Sequence, residues 1–151
     1  MYKKSLTHYI SKIVVDVLFY CSILCTVLVP FTASKLFGWI DYPNQSYLVA
    51  FTAVIFVSGL CCTYILFNLK VMFLSLLSGN PFTDENVGHF RKIAVTCFVM
   101  TVIYAVKCFV LFTVATLVIA VIFMVGTLFC LTLKDLFKQA INYKTENELT
   151  I

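Results

Sequence analysis

Charged residues are scarce in this chain. They make up 12% of its 151 residues, whereas apolar residues make up 62%, and a soluble domain carries roughly 25% charged and about 45–50% apolar residues. The mean hydropathy is correspondingly high, at +1.00. This composition excludes an ordinary water-soluble domain and predicts an integral membrane protein.

The sequence also lacks the patterns that bind metals or carry out catalysis. It has only two histidines, His8 and His89, and its seven cysteines form no CxxC motif, so no zinc site can be assembled. Within apolar runs, cysteine behaves as a small hydrophobic residue. No Ser/His, paired-carboxylate or His/Glu group typical of an enzyme is present. We therefore expect no enzymatic activity and no cofactor, and we expect His89 to lie on a solvated helix face.

The apolar residues form runs long enough to cross a bilayer. A transmembrane helix needs ~20 residues, because it must cover ~30 Å of hydrocarbon at 1.5 Å per residue. The run 93–133 is about twice that length, so it must cross twice, with a turn near 105–113. The sequence predicts an all-α membrane protein, a single membrane domain over 1–151, whose four transmembrane helices lie at about 13–31, 47–69, 90–108 and 113–135.

The positions of lysine and arginine predict how the helices are threaded. Nine of the eleven basic residues lie before the first span, between the second and third spans, or after the fourth; Lys35 and Lys107 lie on the other side. Basic residues concentrate on the cytoplasmic side of a membrane. We therefore expect a multi-pass protein of the cell membrane with both termini, the loop 70–92 and the tail 136–151 in the cytoplasm. Its four helices would form two hairpins joined by a cytoplasmic turn.

Two other topologies compete with this one. A three-span model, in which 108–133 crosses once, would export the basic residues that follow the fourth run, against the charge rule. A cleaved signal peptide would remove the first span, since small residues at 32–34 follow a basic start. The apolar run there is long for a signal peptide, which favours an uncleaved anchor.

The longest polar stretch, 78–92, reads SGNPFTDENVGHFRK. Gly79 is expected to end the second helix, because glycine readily takes the positive φ of a helix C-terminus. Pro81 prevents the helix from resuming. Thr83 is expected to cap the third helix, with acidic residues in the first turn where the helix dipole favours them. The stretch is therefore predicted to be a defined turn and helix start.

Two charged residues fall inside the apolar runs 13–30, 47–67 and 93–133. Asp16 is an intramembrane carboxylate, which is a functional hypothesis such as a proton site by default. However, it lies one turn beyond Lys12 and close to the membrane boundary, which favours a structural ion pair at i, i+4. Lys107 marks the turn between the third and fourth helices.

Four short strings carry a resemblance to a known family. NPFT at 80–83, ENV at 85–87, RKI at 91–93 and ELTI at 148–151 resemble the small prokaryotic membrane proteins catalogued as domain of unknown function 2975. Members often have Leu and Gly where this chain has Phe90 and Ala94, and Asp where Glu148 stands. The resemblance implies a four-span membrane protein with no established activity, whose gene often lies beside small helix-turn-helix regulators.

The polar chemistry of the predicted cytoplasmic face favours a regulatory or sensory membrane protein that engages a cytosolic partner. The resemblance implies a helix-turn-helix transcription regulator as that partner. Asn80, Glu85 and Asn86 are the residues that helix capping explains least. The candidate contact residues are Asn80, Pro81, Phe82, Thr83, Glu85, Asn86, Arg91, Lys92, Leu149 and Ile151.

The alternative function is a small transporter or an oligomeric channel component, although the spans offer few polar groups for a solute. Ala53, Gly59 and Gly126 permit close helix contacts and leave a homo-oligomer open. The loop 70–92 is too small to hold a helix-turn-helix, so no direct contact with nucleic acid is expected. The remaining expected partner is the lipid bilayer itself.

Reporter fusions test the predicted threading. Alkaline phosphatase, which is active only outside the cytoplasm, is expected to be active when fused after residue 44 and inactive when fused after residue 151. Green fluorescent protein at the same two positions should give the opposite pattern, because the loops and termini rich in lysine and arginine stay in the cytoplasm. An active phosphatase at the C-terminus would contradict the four-span threading.

Overall fold

A computed structural model of the chain describes residues 6–39, 48–79, 82–110 and 112–149. Four long α-helices account for nearly all of them: α1 Leu6–Trp39, α2 Leu48–Ser78, α3 Asp84–Val110 and α4 Val114–Leu149. Each is long and apolar enough to cross a membrane. The predicted fold class, an all-α membrane protein with four spanning helices, is confirmed.

The four helices stand in a row in chain order. Helix α1 packs along α2, α2 contacts α3, and α3 packs along α4, while α1 has no close contact with α3 or α4 in the part of the chain that the structure describes. Helix α3 therefore has a neighbour on each side, and it carries much of the core, including Phe90, Ile93, Cys97 and Met100. Large apolar side chains elsewhere face outward, as expected of surfaces that are covered by lipid chains.

The turn between α2 and α3 follows the predicted signals. Gly79 has a φ of 92°, and its N–H donates to the carbonyl of Leu76 at 3.3 Å, which closes the end of α2. The hydroxyl of Thr83 accepts a hydrogen bond from the backbone N–H of Asn86 at 3.3 Å. The helix stop at Gly79 and the cap at Thr83 are both confirmed.

The second predicted turn is also found, although it contains neither glycine nor proline. Helix α3 ends at Val110, inside the predicted region 105–113, and α4 begins at Val114, directly after it. The carbonyl of Thr113 accepts the first hydrogen bonds of α4 from the N–H groups of Thr116, at 2.9 Å, and Leu117, at 3.2 Å.

The helices extend past the predicted spans at the ends where the basic residues gather. Helix α2 continues to Ser78, so most of the predicted loop 70–92 is helical, and α4 continues through the predicted tail to Leu149. The physical reason is that a membrane boundary does not end a helix. A helix ends where a glycine, a proline or a capping side chain offers the backbone other hydrogen bonds.

Small residues bring α1 and α2 close together. A Cβ atom added to Gly59 would lie 2.5 Å from the Oγ1 of Thr26, so a larger residue at this position would collide with the side chain of Thr26. One turn away, the hydroxyls of Ser22 and Thr63 form a hydrogen bond at 3.1 Å. Gly126 faces the Sγ of Cys97 on α3, which would lie 3.8 Å from an added Cβ, an ordinary contact distance. Close packing of small residues therefore operates within the chain, as is common between membrane helices.

The Gly59 contact gives a stability prediction. Gly59→Ala should lower the free energy of unfolding by about 1–3 kcal/mol, the usual cost of overpacking, because its methyl group collides with Thr26. The matched control is Gly88→Ala, since nothing lies within 4 Å of a Cβ added there. Thermal unfolding of the purified protein in detergent measures both.

Adding Thr26→Ala should restore most of the stability that Gly59→Ala loses, because it removes the two nearest colliding atoms. Equal melting temperatures for Gly59→Ala and Gly88→Ala would contradict the packing described.

Candidate functional site

Polar side chains concentrate at one end of the four helices, the end at which α1 and α3 begin and α2 and α4 finish. We call this the basic end, because it carries Lys12, Lys70, Arg91, Lys92, Lys134 and Lys138. It also holds the hydrogen bonds and ion pairs that join α1 to α2 and α2 to α3 through charged or amide side chains. The candidate site is built from these groups.

Asp16 joins α1 to α2 through an ion pair. Its Oδ1 lies 3.2 Å from the Nζ of Lys70 on α2, and its Oδ2 lies 3.8 Å from the Nζ of Lys12 one turn earlier. The predicted pair with Lys12 is confirmed, but the closer partner, Lys70, was missed. The Oδ1 atom is shielded from solvent and has this ion pair instead of a directed hydrogen bond.

Lys70 is held from several directions. Its ammonium group donates a hydrogen bond to the hydroxyl of Tyr20 at 3.4 Å. It also lies 5.1 Å from the ring centre of Phe19 and 4.8 Å from that of Tyr20, within the range of cation–π attraction. The carboxylate and the two rings together place this cation at the boundary between α1 and α2.

Asn68 and His89 form a buried pair between α2 and α3. Asn68 is 1% exposed and His89 is 7% exposed. The Nδ1–H of His89 donates to the Oδ1 of Asn68 at 2.8 Å, and the Nδ2 of Asn68 donates to the carbonyl of Tyr64 at 2.8 Å. The prediction that His89 lies on a solvated helix face is therefore wrong. The ring turns inward because Asn68 offers it a partner that the lipid cannot.

A second hydrogen bond joins the same two helices nearer their ends. The Nδ2 of Asn86 donates to the hydroxyl of Ser75 at 3.0 Å, and Asn86 is only 3% exposed. This predicted contact residue thus faces α2 and stabilises the packing of α3 against it. Glu85, next to it in the chain, is exposed.

Three phenylalanines connect the turn to the last helix. The ring centre of Phe137 on α4 lies 5.4 Å from that of Phe82 and 4.9 Å from that of Phe90 on α3, distances at which aromatic pairs attract. An apolar pocket of about 200 Å³ lies beside them, bounded by α2 residues such as Met72 and Phe73. The part of α4 beyond the predicted fourth span is therefore packed on the start of α3.

A charged cleft of about 380 Å³ lies between the start of α3 and α4. Its lining residues are Asp84, Val87, Gly88, Arg91, Lys134, Asp135 and Lys138. Lys134 pairs with Asp135 at 3.1 Å, whereas Arg91 and Lys138 have no ion pair among the described residues. Asp84, which also lines the cleft, has no ion pair among these residues either, so the three basic and two acidic lining side chains give the cleft a net charge of +1.

The structure separates the remaining predicted residues. Arg91 lines both the charged cleft and a groove between α2 and α3, whereas Lys92 lines only that groove. Thr83 is occupied as the helix cap, and Phe82 belongs to the aromatic cluster. Three of the predicted residues, Asn80, Pro81 and Ile151, lie outside the described residues, as does the side chain of Leu149.

Lys107 lies at the opposite end of the helices from the basic end, as predicted. Its Nζ is 5.9 Å from the ring centres of both Phe51 and Tyr104. The hydroxyl of Tyr104 is 3.0 Å from that of Ser58, which links α2 and α3 at this depth. In the described part of the chain, no three His, Cys, Asp or Glu side chains come together as a metal site would require.

Sequence reasoning missed Lys70 and Asn68, the two residues of α2 that carry the polar contacts. The available signal was that both interrupt a long apolar run. A polar side chain at such a place requires a partner, but the sequence does not say which helix supplies it. Lys70 and Asn68 are two positions apart on α2 and therefore face different neighbours.

The pair of Asn68 and His89 can be tested by a double-mutant cycle. His89→Leu should lower the free energy of unfolding by about 1–3 kcal/mol, because it leaves the Oδ1 of Asn68 buried without a donor. Asn68→Leu together with His89→Leu should cost about 1 kcal/mol less than the sum of the single changes.

Unfolding of the purified protein in detergent measures this coupling. Strictly additive effects would contradict the hydrogen bond. The exposed residue Asn142 provides a control, since Asn142→Leu should be additive with His89→Leu.

Comparison with known proteins gives one match. The family model described as a protein of unknown function, DUF2975, matches residues 39–151, which include α2, α3, α4 and all of the turn and tail residues discussed above. No curated protein and no solved structure is detectably similar to the chain. The protein is therefore a member of the DUF2975 family, a multi-pass membrane protein with four helices that can span the bilayer.

Proposed function

We propose that this protein is a regulatory or sensory component of the cell membrane, that its basic end faces the cytoplasm, and that this end engages a cytosolic partner. The partner implied by the family resemblance is a small helix-turn-helix transcription regulator, held at the membrane by a protein contact. In this proposal the protein is not an enzyme and does not touch nucleic acid directly.

The observation that carries the proposal is the charged cleft between α3 and α4. Arg91 and Lys138 line it without an ion-pair partner among the described residues. Complementary charges across a protein interface contribute to its specificity and its rate of association. A cleft with a net positive charge, in which Arg91 and Lys138 take part in no ion pair among the described residues, suits an acidic segment of a partner better than it suits lipid chains.

The packing around the cleft supports a rigid docking surface. The contacts of Phe137 with Phe82 and Phe90 hold α4 against the start of α3. The hydrogen bond from Asn86 to Ser75 holds that same start against α2. A surface held in this way loses little conformational entropy when a partner binds, which favours affinity.

The transport alternative has a different requirement. A single row of four helices encloses no central channel, because α1 contacts α2 but not α4 in the described residues. A solute path would therefore have to form between copies of the chain. The charged cleft gives no such path, so we rank partner binding first.

Site-specific photo-crosslinking in the native host tests the proposal. In one variant a benzophenone amino acid replaces Asp135, which lines the cleft and whose side chain is 64% exposed. In the control variant it replaces Phe112, which is exposed at the opposite end of the helices from the basic end. The Asp135 position should give a discrete adduct with a cytosolic protein, identified by mass spectrometry, and the Phe112 position should not.

Arg91→Gln or Lys138→Gln should each reduce the adduct about tenfold, the effect of losing about 1.4 kcal/mol of a charged contact. Glu146→Gln, on the exposed end of α4, is the matched control and should have no effect. Adducts only with other copies of the chain, or an adduct unaffected by both changes in the cleft, would contradict the proposal.

A further inference from the structure

A second groove runs along the α2–α3 boundary. At the basic end it is a cleft of about 440 Å³, lined by Tyr64, Gly88, Arg91, Lys92, Val95 and Thr96. It continues along the helices into a pocket of about 280 Å³, lined by Leu60, Cys61, Tyr64, Val95, Thr96 and Val99. Because the two share three lining residues, they form one continuous groove with a basic end and an apolar end.

The basic end of this groove carries uncompensated positive charge. The side chains of Arg91 and Lys92 are exposed, and neither has an ion-pair partner among the described residues. Gly88 lies between them and the start of α3, and a Cβ added to it would meet nothing within 4 Å. The groove is therefore open at the point where an anionic group would approach the two cations.

The groove also lies at a suitable depth. It begins at the level of the buried pair of Asn68 and His89, beyond which the helices are apolar. Tyr64 is 46% exposed on its wall, and tyrosine favours the boundary between headgroups and hydrocarbon. From there Val95 and Val99 lead toward the bilayer interior and remain exposed. A ligand in the groove must be anionic at one end and apolar along its length.

We propose that this groove binds one anionic phospholipid of the leaflet that contacts the basic end. The phosphate lies against Lys92 and Arg91, in the space left by Gly88, and one acyl chain lies along Leu60, Cys61 and Val99. A soluble protein does not reach the apolar part of the groove, which opens sideways into the bilayer, whereas a lipid enters it by lateral diffusion. The site is separate from the charged cleft, with which it shares only Gly88 and Arg91.

Native mass spectrometry of the full-length protein in detergent tests this site. Dioleoyl phosphatidylglycerol and dioleoyl phosphatidylcholine, which have the same acyl chains and a similar size, are added at equal concentration. The wild-type protein should retain one phosphatidylglycerol in at least about tenfold preference, since each cation near an anionic lipid contributes about fivefold. Equal retention of the two lipids would overturn the proposal.

Substitutions separate the contribution of charge from that of the apolar wall. Lys92→Gln and Arg91→Gln should each lower the retention of phosphatidylglycerol about fivefold and leave that of phosphatidylcholine unchanged. Thr96→Phe, which fills the groove without altering charge, should lower the retention of both lipids. Val99→Trp is a second filling variant at an exposed position, used if Thr96→Phe does not purify as a single species.

Two controls keep the result independent of the proposed partner. Lys138→Gln removes a cation from the charged cleft alone and should leave lipid retention unchanged, although it lowers the partner adduct. Lys92→Gln should lower lipid retention and leave that adduct unchanged. If Lys138→Gln lowers the retention of phosphatidylglycerol as much as Lys92→Gln does, or if equimolar inorganic phosphate displaces the lipid, a specific groove is excluded.

Discussion

The structure depends on the requirement that polar groups at the edge of the hydrocarbon find partners within the protein. Lipid chains offer no hydrogen bonds, so an unpaired amide or charge there costs several kcal/mol. Helix α2 carries two such groups close together, and each is paired by a different neighbour: Lys70 by Asp16 of α1, and Asn68 by His89 of α3. These two contacts fix the order of α1, α2 and α3 and the register between them.

The same layer of paired polar groups determines which charged side chains remain available to bind other molecules. Beyond it, α2, α3 and α4 continue as helices, and the contacts of Phe137 hold α4 against the turn. Among the described residues, cations outside any ion pair remain on the two sides of α3: Lys138 lines one cleft, Lys92 lines the other, and Arg91 lines both. The two surfaces follow from this partition, one suited to an acidic protein segment and the other to a lipid phosphate.

Local signals in the sequence are sufficient to predict the membrane-spanning helices and the turns between them. Gly79 and Thr83 act through their own backbone and the next few residues, so their roles are visible without knowledge of the fold. His89 was misplaced because its partner lies 21 residues away on another helix. Lys70 was overlooked for the same reason, and Asn86 was proposed to face a partner although it faces Ser75. The row arrangement also depends on contacts between helices, such as that of Gly59 with Thr26, which composition and periodicity do not encode.

The most direct test of this account is a charge exchange between Asp16 and Lys70. Asp16→Lys or Lys70→Asp alone replaces this ion pair, whose Oδ1 and Nζ atoms lie 3.2 Å apart, with two like charges at the membrane boundary. Each should abolish the single, symmetric peak of the purified protein in fluorescence-detected size-exclusion chromatography. The double exchange, Asp16→Lys with Lys70→Asp, restores opposite charges and should recover most of that peak. Single variants that elute like the wild type, or a double variant no better than either single one, would contradict the claim that this pair holds α1 against α2.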